Sequence, residues 1–343
     1  MRAAYYTKLG AARDVLRLGE IDTPTPGPGE IRVRVHVSGV NPSDWKARLR
    51  GRGAGLPCSP RLRRRRGASL TAPLPMIIPH SDGAGTVDAV GDGVDTRRVG
   101  QRVWMMNAQW QRPFGTAAEY VVLPQKYVVP LPDGVDLAEA ACFGIPFLTA
   151  HRAITFDGAV TGQTLLIIGG AGAVGHHAIQ MAKAKGARVL TTISSPEKAA
   201  YVRAAGADEA INYRTENVVE RIAELTDGRG ADRIIELNLS ANAPLYDRIL
   251  APGGTVIIYG TDAPMASVPA QAFIARGATL KWFIVYDLAD AERDAGIADL
   301  NQMLAHGALQ TTIAARFQLD DIVAAHEMVE AAQHIGNVVL DIA

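Results

Sequence analysis

The stretch TLLIIGGAGAVGHHAIQMAKAKG, residues 164–186, joins an apolar run to a glycine turn and then to a helical pattern. Leu165 to Ile168 are bulky enough for a buried strand, and Gly186 stands where a helix would end. Residues 170–175 read GAGAVG, a GxGxxG. The first glycine permits a tight turn, the second lets the backbone approach a pyrophosphate, and the third lets the helix pack on the strand. Because strand, turn and helix follow in this order, the stretch predicts a dinucleotide-binding unit.

Length and composition predict a globular chain of about two domains. Its 343 residues are 48% hydrophobic and 20% charged, and the formal net charge of +0 disfavours a polyanionic partner. The first ten residues do not resemble a secretory signal, and the apolar runs are shorter than the ~18 residues of a membrane span. We therefore expect a cytoplasmic protein without a membrane partner. With only Cys58 and Cys142, neither a disulfide framework nor a four-cysteine zinc site can form.

The N-terminal part has short alternating runs separated by Gly and Pro, which predicts a compact β-rich domain, a partly closed barrel. Two such runs are Arg2 to Tyr6 and Ile31 to Val37. Asn41 precedes Pro42 and is expected to be extended, and Asp44 is a candidate helix start. A simple turn explains Asn41 and Asp44 equally well.

One segment, Gly51 to Pro75, has no periodicity and carries an unbalanced positive cluster at Arg61 and residues 63–66. A phosphate or nucleic-acid patch would use such a cluster, but no aromatic residue interleaves the arginines, which disfavours nucleic acid. A solvated loop explains the composition, and so does a recent or erroneous replacement of an older sequence. The last two interpretations stay open.

Beyond Thr164, strand and helix patterns alternate and give about six strands. Ser195 and Pro196 have the residue types of an N-cap and a first helical position. Near the C-terminus, Asp320 is expected to cap a helix over Ile322 to Val329. The alternation predicts a doubly wound parallel sheet covered on both faces, with ligands at the carboxyl ends of its strands.

The nucleotide type is inferred from the end of the second strand of this sheet. NAD sites place an acid there for the ribose hydroxyls, whereas a 2′-phosphate needs neutral donors and a cation. The strand ends in Thr191 to Ser195 without an acid, and Lys198 follows one helical turn later, which favours NADP(H). The alternative is that Lys198 is an ordinary exposed lysine and Ser195 only a cap, with Glu197 close by.

Seven motifs occur in one order: GVNPSD, IPHSDGAGTVDAVGDGV, GTAAEYVVLP, GIPFLTAHRA, GGAGAVG, INYR and GNVVLDI. This ordered set resembles the zinc-independent quinone oxidoreductases, the zeta-crystallin-like members of the medium-chain dehydrogenase/reductase superfamily. The resemblance implies an α/β fold of two domains. A Rossmann domain with a doubly wound parallel sheet would span residues 131–288, and a GroES-like β-rich catalytic domain would span residues 1–130 and 289–343.

The resemblance also bears on metal. Zinc-dependent relatives carry a Cys in the stretch matching GVNPSD, a Gly-His-Glu matching His80-Ser81-Asp82, and a Cys matching Cys142. In this chain, Asn41, Ser81 and Asp82 stand where those relatives carry Cys, His and Glu, and only Cys142 matches a zinc ligand. One thiolate cannot hold a catalytic zinc that needs three protein ligands, so no metal site is expected. His80 stands one place off the ligand position and is interpreted as a structural or hydrogen-bonding histidine.

Without a metal, the resemblance implies that NADPH delivers hydride to a quinone or to the β-carbon of an enone, with water as the proton source. The implied catalytic residues are Asn41, Asp44 and Thr149, with Asn41 and Thr149 near the nicotinamide and its ribose. The implied cofactor-binding residues are the glycine turn, three residues for the 2′-phosphate and three strand-end residues: Gly170, Ala171, Gly172, Ala173, Val174, Gly175, Ser194, Lys198, Tyr213, Asn238, Gly260 and Phe283.

Two alternative functions are kept. One is an enoyl-thioester reductase of the same superfamily, and the other is a cofactor-binding protein with an RNA-binding or structural role, suggested by the arginine cluster. Lys46 stands where several relatives carry a tyrosine, so activity on quinones specifically is left open. The family suggests a homodimer that forms through strand pairing between nucleotide domains.

Overall fold

The computed structural model describes residues 1–51 and 75–342, so the arginine cluster and Cys58 lie outside the described residues. The chain divides into two compact units. The first unit comprises Met1–Ile145 and Thr311–Ala343, and the second comprises Pro146–Gln310. This division falls later in the chain than the predicted boundaries at 130/131 and 288/289. The helix Asp290–Ala305 belongs to the second unit because Gly296 lets it approach Leu148 and His151 closely.

The regular elements of the described chain are numbered in sequence order. The strands are β1 Arg2–Tyr5, β2 Arg17–Glu20, β3 Glu30–Val40, β4 Asp82–Val90, β5 Arg102–Met105, β6 Tyr120–Pro124, β7 Val128–Pro130, β8 Thr164–Ile167, β9 Arg188–Ile193, β10 Glu209–Asn212, β11 Ala231–Glu236, β12 Leu250–Ile258, β13 Thr279–Trp282, β14 Ile313–Gln318 and β15 Asn337–Asp341. The α-helices are α1 Ala12–Val15, α2 Pro42–Arg50, α3 Leu137–Ala140, α4 Leu148–Thr155, α5 Ala173–Ala184, α6 Pro196–Ala204, α7 Val218–Leu225, α8 Leu239–Asn242, α9 Tyr246–Ile249, α10 Ala270–Arg276, α11 Asp290–Ala305 and α12 Ile322–Ala331.

The second unit is built on a six-stranded parallel sheet. Its strand order is β10-β9-β8-β11-β12-β13, and every neighbouring pair is parallel. Leu166, Ile234 and Val256 are fully buried on the central strands. The order reverses between β8 and β11, which is the switch point where such sheets bind nucleotides. The predicted doubly wound sheet is confirmed.

The first unit is built on β-structure, as predicted. A seven-stranded sheet has the order β14-β15-β3-β4-β5-β7, and β6 also pairs with β3. Apart from the parallel pair β14–β15, its strands are antiparallel. The long strand β3 contacts three partners, and register shifts near Val33 and Val35 let it bend between them.

One predicted helix start and one predicted N-cap are wrong, although α12 begins at Ile322 as predicted. α2 begins at Pro42 with the extended Asn41 as its N-cap, so Asp44 lies inside the first turn and not at the start. α12 has Asp321 as its N-cap, while Asp320 lies in a preceding 3-10 turn and pairs with Arg2. By contrast, α6 begins as predicted, with Ser195 as the cap and proline at the first position. In residues 1–51 and 75–342, no helix combines the length and apolarity of a membrane span.

Candidate active site

In the second unit, residues 169–175 link β8 to α5, and we call them the glycine turn. α5 begins after Gly172, whose exposed backbone has φ −79° and ψ 165°. A Cβ on Gly175 would lie 2.4 Å from the Gly169 oxygen, whereas a Cβ on Gly172 would meet only that oxygen, at 3.4 Å. Gly175 therefore permits close packing, and Gly172 leaves space above the helix end. The first N–H groups of a helix lack intrahelical partners and attract phosphate, so the turn fits a pyrophosphate.

Two threonines at the end of β9 hold the glycine turn, although neither is among the predicted site residues. The Gly169 N–H donates to Thr192 Oγ1 at 3.0 Å, and Thr191 Oγ1 donates to the Ile167 carbonyl at 2.7 Å. A Cβ on Gly170 would lie 2.2 Å from Thr191 Oγ1. Both contacts join positions 23 or 24 residues apart, so no local pattern in the sequence indicates them.

The residues predicted to hold a 2′-phosphate gather at the carboxyl ends of the neighbouring strands β9 and β10. Ser194 follows β9 and Tyr213 follows β10, and the Tyr213 N–H donates to the last carbonyl of β9 at 3.1 Å. Ser195 caps α6 by accepting from the Lys198 N–H at 3.3 Å. The structure thus brings Ser194, Lys198 and Tyr213 to one edge of the sheet, and their contact with a nucleotide stays a prediction.

Asn238, Gly260 and Phe283 lie just past the carboxyl ends of β11, β12 and β13. A Cβ on Gly260 would be 2.2 Å from the Leu237 oxygen, so glycine is needed where these two loops meet. The Asn238 amide is already engaged within its own loops: it donates to Asp262 at 2.7 Å and accepts from Ser240 Oγ at 2.9 Å. The Asn238 N–H donates to Glu236 and its carbonyl accepts from Ala241, so a cofactor contact of Asn238 would fall to the second N–H of its side-chain amide.

Glu236, the last residue of β11, is a buried acid that the sequence reasoning missed. Its carboxyl group accepts from the Tyr246 hydroxyl, from the Asn238 N–H, and from Asn242 Nδ2 at 3.0 Å. Burial raises the pKa of Glu236, against the opposing effect of these donors. The carboxyl group thereby ties the loop after β11 to the strand end.

Thr149, a predicted catalytic residue, lies in α4 and is 3% exposed. Its Oγ1 has no hydrogen-bond partner within the described ranges. A buried polar group left without a partner costs about 1–3 kcal/mol. The hydroxyl therefore fits a ligand that supplies the missing hydrogen bond.

In the first unit, Asn41, Asp44 and Asp82 form a buried group that we call the carboxyl cluster. The Asp44 N–H donates to the Asn41 carbonyl at 2.9 Å, and the Asn41 N–H donates to Asp44 Oδ2 at 2.8 Å. Asn41 Nδ2 donates to Asp82 Oδ2 at 2.8 Å, and the Ile145 N–H donates to the same oxygen at 2.8 Å. Two predicted catalytic residues thus lie together, and Asp82 joins them from outside the predicted set.

Asp82 is fully buried, and this burial raises its pKa well above the ordinary range. The N–H groups of Ile145 and Asn41 oppose that rise, while the charge of Asp44 adds to it. Its other oxygen, Oδ1, faces Gly144, where a Cβ would be only 2.1 Å away. Because Oδ2 can only accept from the Asn41 amide nitrogen, Asp82 determines which way that amide points.

A chain of buried side chains supports the carboxyl cluster, and we call it the histidine chain. Thr116 Oγ1 donates to the Asp82 carbonyl at 2.6 Å, and Ser38 Oγ lies 2.8 Å from Thr116 Oγ1 and 2.9 Å from His80 Nδ1. His80 Nε2 lies 2.9 Å from His326 Nε2. Each hydroxyl has one proton, so Ser38 must donate to Thr116 and His80 Nδ1 must donate to Ser38. His80 Nε2 then accepts from His326.

Both histidines are neutral in this arrangement. Burial lowers the pKa of His80 to about 3 and that of His326 well below its ordinary value. The structural, hydrogen-bonding interpretation of His80 is confirmed. His80 also has φ 75°, a left-handed conformation that is uncommon outside glycine.

The residues at the family's zinc positions do not fit a zinc ion. Asp82 is engaged by two N–H donors, and Cys142 Sγ donates to the Ala138 carbonyl at 3.4 Å. Burial raises the pKa of the Cys142 thiol well above its ordinary value, which disfavours the thiolate that zinc requires. In the described part of the chain, no group of three or more His, Cys, Asp or Glu side chains is placed to hold a metal ion.

Comparisons with known proteins match both parts of the chain. Residues 27–133 match the alcohol dehydrogenase GroES-like domain, and residues 173–302 match the zinc-binding dehydrogenase domain. The quinone oxidoreductase of Pseudomonas aeruginosa is 33% identical over 269 residues, which cover 76% of this chain and 80% of the relative. The chain belongs to the quinone oxidoreductase family of the medium-chain dehydrogenase/reductase superfamily.

Solved structures share the fold of this chain. An NAD-dependent alcohol dehydrogenase superposes with a TM-score of 0.86 at 27% identity, and a mycobacterial protein complexed with NADPH superposes with a TM-score of 0.84 at 28% identity. Each comparison covers 100% of both chains. The predicted fold class is confirmed, and the chain is an oxidoreductase. One of the two matching family models is described as zinc-binding, but the residues of this chain at the zinc positions do not suit that metal.

Proposed function

We propose that the chain is an NADPH-dependent reductase that transfers hydride to a quinone or an α,β-unsaturated carbonyl without a metal. The proposal rests on the difference between the glycine turn and the family's zinc positions. The glycine turn has the open helix end that a dinucleotide needs, while the zinc positions are occupied by an amide, a hydroxyl and an engaged carboxyl group. The nicotinamide is then the redox agent.

NADPH supplies a hydride when it is bound, and the chain's own residues position it. Backbone N–H groups from Ala171 to Val174 would hold the pyrophosphate, and Ser194, Lys198 and Tyr213 would hold the 2′-phosphate. The Thr149 hydroxyl would donate to the nicotinamide end. Asn41, oriented by Asp82, would donate to an oxygen that gains charge, and water would supply the proton.

The test is a side-by-side assay of the purified full chain. NADPH oxidation is followed with 9,10-phenanthrenequinone, 2-hexenal and crotonyl-CoA as acceptors, and zinc is counted on the same sample by mass spectrometry. We expect turnover with the quinone or the alkenal and zinc far below one per chain. Turnover with crotonyl-CoA alone would favour the thioester alternative, and one zinc per chain with NADH as the tighter ligand would overturn the proposal.

We further propose that the chain forms a homodimer through β13. This strand ends one edge of the parallel sheet, and an open edge offers unpaired backbone groups to a second copy. Trp282 on β13 is 57% exposed, and Ile274 in the preceding helix is 82% exposed. Light scattering should give a dimer for the chain and a monomer for Trp282→Lys/Ile274→Lys. The control Leu18→Lys, in the first unit, should remain dimeric, and a dimer in both variants would exclude this edge.

A further inference from the structure

Helix α6 carries Lys198 in its first turn but is weakly anchored. Of its residues, only Val202 is fully buried. Beyond the helix, Asp208 accepts from Lys183 of α5 at 2.8 Å, but both side chains are about one-third exposed. A contact near the middle of α6 therefore has a large influence on where its N-terminus lies.

That contact is made by Tyr201, three residues beyond Lys198. Its ring stacks on the ring of His176 in α5, with the ring centres 4.3 Å apart and the planes inclined by 14°. His176 is 4% exposed and lies one residue after Gly175, the last residue of the glycine turn. The stack thus joins the helix that follows the glycine turn to the helix that bears the predicted 2′-phosphate residues.

His176 is itself held in place. The Gln310 N–H donates to Gln180 Oε1 at 2.7 Å, and Gln180 Nε2 donates to the Gln310 carbonyl at 3.0 Å. The same Nε2 lies 3.0 Å from His176 Nδ1. Burial lowers the pKa of His176 to about 4, although the Gln310 backbone acts in the opposite direction. At neutral pH the imidazole therefore presents a fixed, uncharged face to Tyr201.

We propose that His176 and Tyr201 are a positioning pair that sets the distance between the glycine turn and the N-terminus of α6, and thereby the preference for a 2′-phosphorylated dinucleotide. The inference rests on the proposed use of NADP(H). NADPH and NADH share the pyrophosphate that the glycine turn binds, and only NADPH carries the 2′-phosphate. Moving α6 therefore weakens the binding of NADPH more than that of NADH.

The experiment measures Kd for NADPH and NADH by nucleotide fluorescence with the full chain. In Tyr201→Ala, we expect the ratio of the NADH Kd to the NADPH Kd to fall about tenfold, whereas Tyr201→Phe, which keeps the stack, should stay within about twofold of the wild type. Tyr201→Leu preserves apolar bulk without a flat ring and serves if the alanine variant does not fold. Circular dichroism confirms that each variant is folded.

Lys198→Met separates this inference from the proposed function. If the wild type does not prefer NADPH and Lys198→Met leaves the ratio unchanged, the NADP(H) assignment fails. If Lys198→Met lowers the ratio but folded Tyr201→Ala and Tyr201→Leu weaken both nucleotides equally or not at all, only the positioning role fails. The Tyr201→Ala/Lys198→Met double variant completes the test. If both substitutions act through one phosphate contact, the fall in the Kd ratio in the double variant is smaller than the product of the falls in the two single variants.

Discussion

The glycine turn and the carboxyl cluster are built in opposite ways. The glycine turn consists of seven consecutive residues, and its shape depends on side chains that are absent. The carboxyl cluster uses buried side chains from positions 41, 44 and 82 and the backbone N–H of the half-buried Ile145. A local site can be recognised from spacing, whereas a site assembled from distant positions depends on tertiary packing. The two sites should therefore respond differently to substitution.

The largest effect is expected from Gly175→Ala. The added Cβ would lie 2.4 Å from the Gly169 oxygen and 2.7 Å from the Gly170 Cα, which are backbone atoms that cannot move independently. Overpacking of this kind costs about 1–3 kcal/mol and sometimes more. We expect a lower thermal midpoint together with a Kd for NADPH raised at least about a hundredfold, equivalent to ~2.7 kcal/mol. Calorimetry and fluorescence titration measure the two effects.

Gly172→Ala is the matched control for that substitution. Its Cβ would have 3.4 Å to the nearest atom, and its φ is negative, so the fold should lose less than about 1 kcal/mol. The Cβ would nevertheless occupy the space into which the pyrophosphate approaches. NADPH binding should therefore fall while the thermal midpoint is nearly kept. Unchanged NADPH binding in Gly172→Ala would contradict the proposed role of the turn.

A smaller effect is expected in the carboxyl cluster from Asp82→Ala. The substitution leaves the Asn41 amide and the Ile145 N–H without their acceptor, so the Asn41 amide loses its fixed orientation. We expect kcat to fall about 10- to 100-fold, equivalent to ~1.4–2.8 kcal/mol, with little change in KM for NADPH. Asp82→Asn keeps a carbonyl acceptor and should retain most of the activity. Equal losses in both variants would contradict the role of Asp82 in orienting the Asn41 amide.

The same contrast explains what could be predicted from sequence. The glycine turn and the Ser195 cap follow from patterns a few residues long, and the parallel sheet follows from the alternation of strand and helix patterns beyond Thr164. The sequence predicts Asp320 as the cap of α12 because aspartate is a good cap, but a 3-10 turn moves that position to Asp321 and leaves Asp320 to pair with Arg2. Such choices depend on partners far away in the chain.

The polar interior of the first unit shows this limit most clearly. His80 and His326 are separated by 246 positions, and neither residue has a local pattern that indicates the other. Asp82 could be named from the family resemblance only as a position that lacks a zinc ligand. Its role as acceptor for Asn41 depends on how β4 packs beside the start of α2, and on the segment that brings the Ile145 N–H to the same oxygen.

The histidine chain makes stability depend on pH in a way that the glycine turn does not. His80 and His326 have lowered pKa values in the folded chain, so only the unfolded chain takes up their protons below about pH 6.5. Stability should therefore fall as pH drops from 6.5 towards 4, by about 1.4 kcal/mol per pH unit for each such histidine. His326→Gln can still donate to His80, and it should reduce the slope of stability against pH by the contribution of one histidine, about 1.4 kcal/mol per pH unit.

Urea unfolding between pH 7.5 and 4.5 measures this slope. The raised pKa of Asp82 acts with the opposite sign, because its neutral form is favoured in the folded chain and that contribution is lost as pH rises. The wild type and His326→Gln both keep Asp82, so its contribution cancels in the difference between their curves of stability against pH. The curves should run parallel above pH 7 and separate below pH 6. Curves that stay parallel down to pH 4.5 would contradict the inference that His80 and His326 are neutral in the folded chain.

The smallest effect is expected from two substitutions of His80. Comparing them separates the contribution of its hydrogen bonds from the cost of its left-handed backbone. His80→Ala and His80→Gly both remove the contacts to Ser38 and His326, but only glycine adopts φ 75° without strain. Left-handed strain costs about 1–3 kcal/mol, and glycine loses part of that advantage through its more flexible unfolded state. His80→Gly should therefore be more stable than His80→Ala by about 1 kcal/mol in urea unfolding, with both below the wild type. If the two variants are equally stable, the strain at His80 is negligible, and the hydrogen bonds of the histidine chain alone explain why a histidine is tolerated there.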